Sequence, residues 1–413
     1  MDCVIKNSKL FMCGEIQNLN LSIKDGVINK IGKDLKADNV IDAGGLLILS
    51  GAIDAHVHFR DMGEMHKEDW YTGSCAAVAG GVTTVIEHPN TKPPTTSVIA
   101  LKKKLKTAER SIVDFGINAG VTDDPSELRE LWNHGVTAFG EIFMTDLDEG
   151  QLLKAFKMIK RLDATSCVHA EDKDLVSEKP TRPPICEIKA IESVLYMKKI
   201  TDVKLHVCHL STKRGLELLK ESSASVEVTP HHLFLSEEDF KEHGSFVKMN
   251  PPLRGESNRR SLWHGLKDGS IDIIASDHAP HTKDEKSVDL PRAPSGVPGV
   301  ETMVPLMLSA VKKGTISMDR FVSLTSFNPA KIFGLDRKGE IAVGKDADLI
   351  FVDMKNEREI EGGELHGKTR WTPFEGMKGI FPEKVILRGE VVFDDGEIVG
   401  EAGHGRFLTG GGG

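Results

Sequence analysis

The sequence predicts an α/β protein: a (β/α)8 TIM-like barrel with a small β-sandwich domain built from both ends of the chain. Three observations predict it. Short apolar runs alternate with helical stretches through residues 51–335, the pattern of parallel βα units. Residues 1–50 and 336–413 read instead as short strands and hairpins, and two β-rich ends around a different middle are expected to pair with each other. The histidines and acids of the middle fall repeatedly at the C-terminal ends of the predicted strands, where a barrel builds its active site. A doubly wound open sheet is the competing layout for the same alternation.

The elements follow in order. VIKNSKLF, IQNLNLSI and GVINKIG alternate apolar with polar residues, and NSK and KDG are turn signals. LLILSGAI (Leu46 to Ile53) then runs without a break into DAHVHFRD (Asp54 to Asp61), so a buried strand ends in polar residues. VTTVIEH leads to the helical SVIALKKKLKTAER, VTAFGEIFM to EGQLLKAFKMIKRL, ATSCVHA to ICEIKAIESVLYMKKI, and VKLHVCHL to KRGLELLKES; IDIIASDHAPH comes later. At the end of the chain, ADLIFVD, EKVILRGEVVF and the DDGEIVG turn return to strand and hairpin patterns, and the closing glycines read as a flexible tail.

Composition narrows the function classes. The chain has 413 residues, 39% hydrophobic and 28% charged, as expected of a soluble globular protein with one large and one small domain. A net charge of −9 and no basic stripe give it no electrostatic reason to bind nucleic acid or an anionic membrane. No apolar run approaches the roughly 18 residues of a membrane span. MDCVIKNSKLF has neither a long apolar core nor a small-residue cleavage site, so no signal peptide is expected. The six cysteines are scattered without a CxxC pair, against a thiolate zinc finger or a disulfide framework, and they fit a reducing cytoplasm.

His56, His58 and Arg60 occupy alternate positions and so share one face of an extended chain. Asn90 follows VTTVIEHP, Glu141 lies in VTAFGEIFM, His169 ends ATSCVHA, His209 ends VKLHVCHL, and Asp277 ends IDIIASD with His278 and His281 just beyond. Four histidines and one or two carboxylates at a barrel mouth make a divalent-metal site, with N and O donors that suit zinc. Such a site acidifies a bound water and polarises a carbonyl, and Asp277 is the candidate proton carrier. Blander readings stand beside these. A lone strand histidine is more often a hydrogen-bonded core residue, Asp277 could be a helix N-cap, and Arg60 could form a surface ion pair with Asp61 or Glu64. His206 and His209 are three apart and are expected to face opposite ways, which assigns His209 to the mouth, His206 to a structural role and Cys208 to the core. A guanidinium clasps a carboxylate bidentately, and Asn90 and Asn250 offer donors and acceptors. Together with Arg60 they describe a pocket for a small, anionic, amide-bearing molecule. APSGVPG (Ala293 to Gly299) reads as a lid or substrate-contacting loop, or as an ordinary connection.

Five segments carry a resemblance: DAHVHFRDMG, HPNTKPPT, LHVCHLST, the block from VTPHHLFL to KMNPPLR, and ASDHAPH with APSGVPGVET. The chain resembles the cyclic amidohydrolases of the amidohydrolase superfamily, and among them the dihydroorotases. SFNPAKIFGL and GEIAVGKDADLIFVD match the superfamily more generally. HxH alone is a weak signal; HFRD, PNTxP, NPPLR and SDHAPH in this order are specific. The resemblance implies His56 and His58 on one zinc, His169 and His209 on a second, and Asp277 completing the ligands of the first zinc and acting as general base and acid. It implies Arg60, Asn90, Asn250 and His281 on the substrate. The implied reaction is the reversible closure of N-carbamoyl-L-aspartate to L-dihydroorotate in pyrimidine synthesis. A homodimer and an association with aspartate transcarbamoylase are the implied partners.

Three departures stand out. The family's metal-bridging carbamylated lysine has no counterpart between Val136 and Asp146, where Glu141 aligns with it. Glutamate supplies the carboxylate on a shorter stem; the alternatives are a single-metal site or a Glu141 that only supports the ligands. RDMG replaces RDPG. Glu87 and His88 precede PNT where an apolar residue and methionine are common, and His88 is either incidental or an extra polar contact.

Overall fold

The computed structural model describes residues 2–122, 124–176 and 182–410. Eight parallel strands form its centre: β1 (Ala52–Val57), β2 (Val82–Glu87), β3 (Asp114–Ile117), β4 (Phe139–Phe143), β5 (Thr165–His169), β6 (Lys204–Val207), β7 (Ser225–Val228) and β8 (Ile273–Ile274). β1, β2 and β3 pair side by side, as do β4 through β8. Parallel bridges Ala119–Phe139 and Val57–His278 join the two groups at both seams, so the strands follow one another around a ring. Asp54 reinforces the seam between β1 and β8: its Oδ1 accepts from the backbone N–H of Ser276 at 2.9 Å.

The strand sequences explain the two sides of the ring. Ile53, Ala55, Ile86, Ala138, Cys167, Cys208, Ile273 and Ala275 form one buried cluster of small and medium side chains, as a filled barrel interior requires. The alternate residues, such as Val82, Val85, Leu205 and Val207, pack with Leu101, Phe156, Ile191 and Leu216 of the surrounding helices. Helix starts carry the expected signals. Asp148 and Gln151 form a capping box at the helix Glu149–Arg161, which satisfies backbone donors the helix itself leaves open.

Both chain ends build the second layer system. A seven-stranded sheet interleaves Lys9–Met12, Glu15–Asn18 and Leu47–Ser50 with Leu349–Val352, Lys384–Leu387, Glu390–Asp394 and Glu397–Ile398. A four-stranded sheet is made by Cys3–Lys6, Asn20–Lys24, Val27–Gly32 and Val40–Asp42. Ile5, Leu10, Leu21, Ile48, Leu349, Phe351 and Ile386 fill one core shared by strands of both sheets. Two stretches of 336–413 depart from the expectation that this whole segment belongs to the sandwich. Ile360, Trp371, Phe374 and Phe381 pack with Leu235, Val247 and Leu253 beside the barrel mouth. Phe407 bridges Phe115 alongside β3, because β3 is an edge of its sheet and accepts a further strand-like partner. The expected glycine tail, apart from Gly410, lies outside the described residues.

A buried ion cluster ties the two parts. Lys338 Nζ lies 2.5 Å from Asp114 Oδ2 at the start of β3, 2.7 Å from Asp348 Oδ2 and 3.0 Å from Asp346 Oδ2; Arg388 also pairs with Asp114. Burial alone would lower the lysine's pKa, but the three carboxylates outweigh it and raise it. Lys338→Met leaves those carboxylates facing one another with less countercharge. Urea unfolding is expected to report a loss of about 3–5 kcal/mol, the usual cost of breaking a buried pair from one side.

Candidate metal centre and substrate cleft

Six of the residues singled out in the sequence converge at the C-terminal mouth of the ring. Glu141, at the centre of β4, lies between two imidazole pairs. Its Oε1 is 2.8 Å from both His169 Nδ1 and His209 Nε2. Its Oε2 is 3.7 Å from His56 Nε2 and 3.9 Å from His58 Nε2. Asp277 Oδ1 closes the first pair, 3.1 Å from His58 Nε2 and 3.6 Å from His56 Nε2. His56, His58 and Glu141 form one group able to hold a metal ion; Glu141, His169 and His209 form another. All are buried.

The backbone is bent to make this possible. Gly140, before Glu141, has φ +138°, and a Cβ there would sit 2.2 Å from the carbonyl oxygen of Cys167, so only glycine fits. His209 (φ 33°), Asp277 (φ 46°) and Arg60 (φ 59°) adopt the left-handed region, a conformation that costs about 1–3 kcal/mol and gathers at functional sites. His209 corrects the expectation that it faces away from His206. It lies beyond the end of β6, its left-handed turn redirects the side chain inward, and both imidazoles point into the barrel at different depths. Asp277 does not cap a helix; the next helix, Lys283–Lys286, is capped by Thr282.

A second layer fixes the imidazoles. Glu227 on β7 holds His56 Nδ1 at 2.9 Å, accepts the His209 backbone N–H at 3.0 Å and lies 3.3 Å from His206 Nε2. His206 thus takes a supporting role, with its Nδ1 2.8 Å from Ser225 Oγ. Cys208 is buried in the interior, with its sulfur close to His56 and Glu227. His88 stacks on His56 with ring centroids 3.8 Å apart and planes 7° from parallel. Glu87 accepts the backbone N–H of Phe59 at 2.8 Å, which orients the HFRD turn. Burial would lower the His169 pKa, but Glu141 and Glu171 beside it raise it to about 9. Asp277 is likewise driven up by burial and held lower by the charges of His56 and His58, ending below the usual carboxylate range.

The centre opens into a cleft of about 240 Å³ lined by Arg60, Asn90, Asn250, His281, Arg182, Ser295 and Gly296, among others. Arg60 forms neither ion pair open to it in the sequence. Asp61 pairs with Arg110 at 2.6 Å, and Glu64 pairs with Lys67 at 2.8 Å and Lys92 at 3.0 Å. Among the described residues its buried Nε has no hydrogen-bond partner, and its Nη2 is 3.4 Å from His281 Nε2. Asn90 Oδ1 lies 2.6 Å from His58 Nδ1, so it touches a metal-facing imidazole as well as the cleft. With its amide oriented to match its neighbours, Asn250 Oδ1 accepts from Arg182 Nη2 at 3.2 Å and from Ser295 Oγ at 3.1 Å. Burial, then the Arg60 and Lys67 charges, push His281 down to about 3, so its ring is neutral and its Nε2–H donates to the Ser295 carbonyl at 3.0 Å.

Glu227 and Arg182 were not anticipated. Glu227 sits near the end of β7, the position that marked the other site residues, so strand register could have found it. Arg182 stands in a loop with no periodic signal.

The sequence model of the amidohydrolase family matches residues 47–392. The chain belongs to this family. The amidohydrolase is 46% identical to a dihydroorotase of Methanosarcina acetivorans, covering 100% of this chain and 96% of that protein. It is also 46% identical to a dihydroorotase of Methanosarcina mazei, covering 99% and 98%. Among solved structures it is similar to the L-hydantoinase (dihydropyrimidinase) of Arthrobacter aurescens, with TM-score 0.94, 31% identity and 99% coverage of both chains. In this amidohydrolase, Gly140→Ala is expected to cost roughly 1–3 kcal/mol in strain, with a similar overpacking cost. Thermal unfolding should register the loss, and bound metal should fall because Glu141 shifts.

Proposed function

We infer that this amidohydrolase is a dihydroorotase, closing N-carbamoyl-L-aspartate to L-dihydroorotate and hydrolysing it in reverse in pyrimidine synthesis. Full-length similarity to dihydroorotases supports the class of reaction. One observation carries the choice among cyclic amides: Arg60 presents a guanidinium to the cleft, and among the described residues no carboxylate lies within ion-pairing distance of it. An enclosed cation lacking a partner is costly, and the carboxylate of dihydroorotate supplies one. A neutral ring such as hydantoin does not.

The donor set fits a divalent metal. Four imidazoles and two carboxylates converge, and among the described residues the buried His56 Nε2 has no hydrogen-bond partner while Glu227 holds its other nitrogen. We assign His56, His58 and Asp277 to one zinc and His169 and His209 to a second, with Glu141 between them in place of a modified lysine. Bound there, zinc supplies an acidified water and a polarised carbonyl. The chain's residues do the rest. Arg60 grips the substrate carboxylate with the neutral His281 ring beside it, and Asn90 and Asn250 read its amide groups. Asp277 takes the proton of the attacking water and returns it to the ring nitrogen as the C–N bond breaks. In the synthetic direction the same carboxylate accepts the ureido proton as the bond forms.

None of the described helices is long and apolar enough to cross a membrane. All six cysteines are free, in keeping with the cytoplasmic location we infer. A homodimer and an association with aspartate transcarbamoylase are the partner readings that accompany this place in metabolism; sedimentation alone and with that enzyme tests both.

The zinc-supplemented protein should open L-dihydroorotate and leave allantoin and dihydrouracil untouched. Turnover of a neutral ring instead would overturn the substrate assignment. Chelation should abolish turnover and added zinc restore it. Glu141→Ala should lower metal affinity by at least about tenfold, as loss of even an indirect ligand contact does; unchanged metal content would exclude Glu141 as the bridge.

A further inference from the structure

Lys286 is fully buried, at 0% exposure, yet among the described residues no carboxylate lies within ion-pairing distance of it. Its Nζ instead donates to three backbone carbonyls: Gly296 at 2.9 Å, Lys248 at 3.0 Å and Pro294 at 3.1 Å. An ammonium without countercharge is expensive to bury, so this one is tolerated only because all three of its donors are used. Two of the three carbonyls belong to the APSGVPG loop. Lys248 holds the preceding stretch in the same manner, its Nζ donating to Leu290 at 2.7 Å and to Ala293 at 2.6 Å. Two lysines thus fasten one loop through its backbone.

That loop is a wall of the cleft. The Ser295 carbonyl orients His281, and the Ser295 hydroxyl meets the Asn250 amide. Gly296 has φ +129°, and a Cβ there would fall 2.4 Å from the Ala279 carbonyl oxygen. On the far side, Trp371 Nε1 donates to the His281 carbonyl at 2.8 Å, and the Lys286 ammonium lies 5.9 Å from the centre of the same indole ring. Two of the four residues assigned here to the substrate, His281 and Asn250, are therefore set by a loop that Lys286 fastens.

We propose that Lys286 is a positioning residue for substrate binding, holding the Ser295–Gly296 wall so that His281 and Asn250 stay in register with Arg60. It touches neither substrate nor metal. The proposal rests on the dihydroorotase reading for its substrate and on the loop geometry for its cause, and the two are tested separately. In Lys286→Met, hydrogen exchange in peptides covering 287–298 should quicken without substrate present. KM for L-dihydroorotate should rise about tenfold or more, with kcat changed less than about threefold and zinc content unchanged, the pattern of lost ground-state binding. Unchanged exchange, or faster exchange with unchanged KM, would overturn the clamp, as would parallel loss of kcat and zinc. Gly296→Ala reaches the same wall without touching the lysine and should raise KM similarly. If Lys286→Met fails to fold, that variant decides, and an unchanged KM overturns the proposal. Absence of dihydroorotate turnover by the unaltered protein would refute the substrate reading while leaving the exchange result standing.

Discussion

A single buried carboxylate must reach imidazoles delivered by different strands. Glu141 satisfies this by lying between the His169–His209 pair and the His56–His58 pair. Everything else at the mouth serves that geometry. The ring of parallel strands delivers the side chains to one end, Gly140 lets β4 pass close under β5, and left-handed turns at His209 and Asp277 swing side chains inward after their strands have ended. Glu227 then locks one imidazole from each pair, through the His56 ring and the His209 backbone. Local backbone strain is acceptable here because the surrounding ladder and the packed interior over-determine each position.

Much of this was legible in the sequence, for physical reasons. Strand and helix periods differ, so the alternation of the middle segment carried the barrel, and residues at strand ends carried the mouth. What periodicity cannot encode is the direction of a side chain once the strand has stopped. His206 and His209 illustrate this: the alternation rule holds up to Val207 and fails two residues later at a left-handed turn. Arg182 was invisible for a related reason, since it sits in a loop with no period to read. In the sequence His88 reads as either incidental or an extra polar contact; only three-dimensional proximity reveals that it lies flat against His56. The C-terminal segment reads as sandwich alone because its strands dominate the pattern, although Trp371 and Phe407 return to the barrel.

The same division of labour appears in how charges are buried. Lys338 is held by three carboxylates, a true ion cluster that fastens sandwich to barrel. Lys286 is held only by carbonyl dipoles. Burial and the neighbouring Lys248 charge push its pKa down to about 7, whereas that of Lys338 rises. Carboxylates fix a permanent joint; carbonyls shape a wall without adding negative charge beside a cleft meant for an anion.

The return of Trp371 to the barrel has a consequence for biosynthesis. The last of the proposed metal-binding side chains, Asp277, leaves the ribosome well before the indole that hydrogen-bonds the His281 carbonyl. The strand Leu349–Val352, which pairs with Leu47–Ser50, also emerges late. A nascent chain paused between them holds its proposed metal-binding residues but not its finished cleft. Competence for catalysis therefore arrives only once Trp371 has emerged, after the strand Leu47–Ser50 has waited for its late partner.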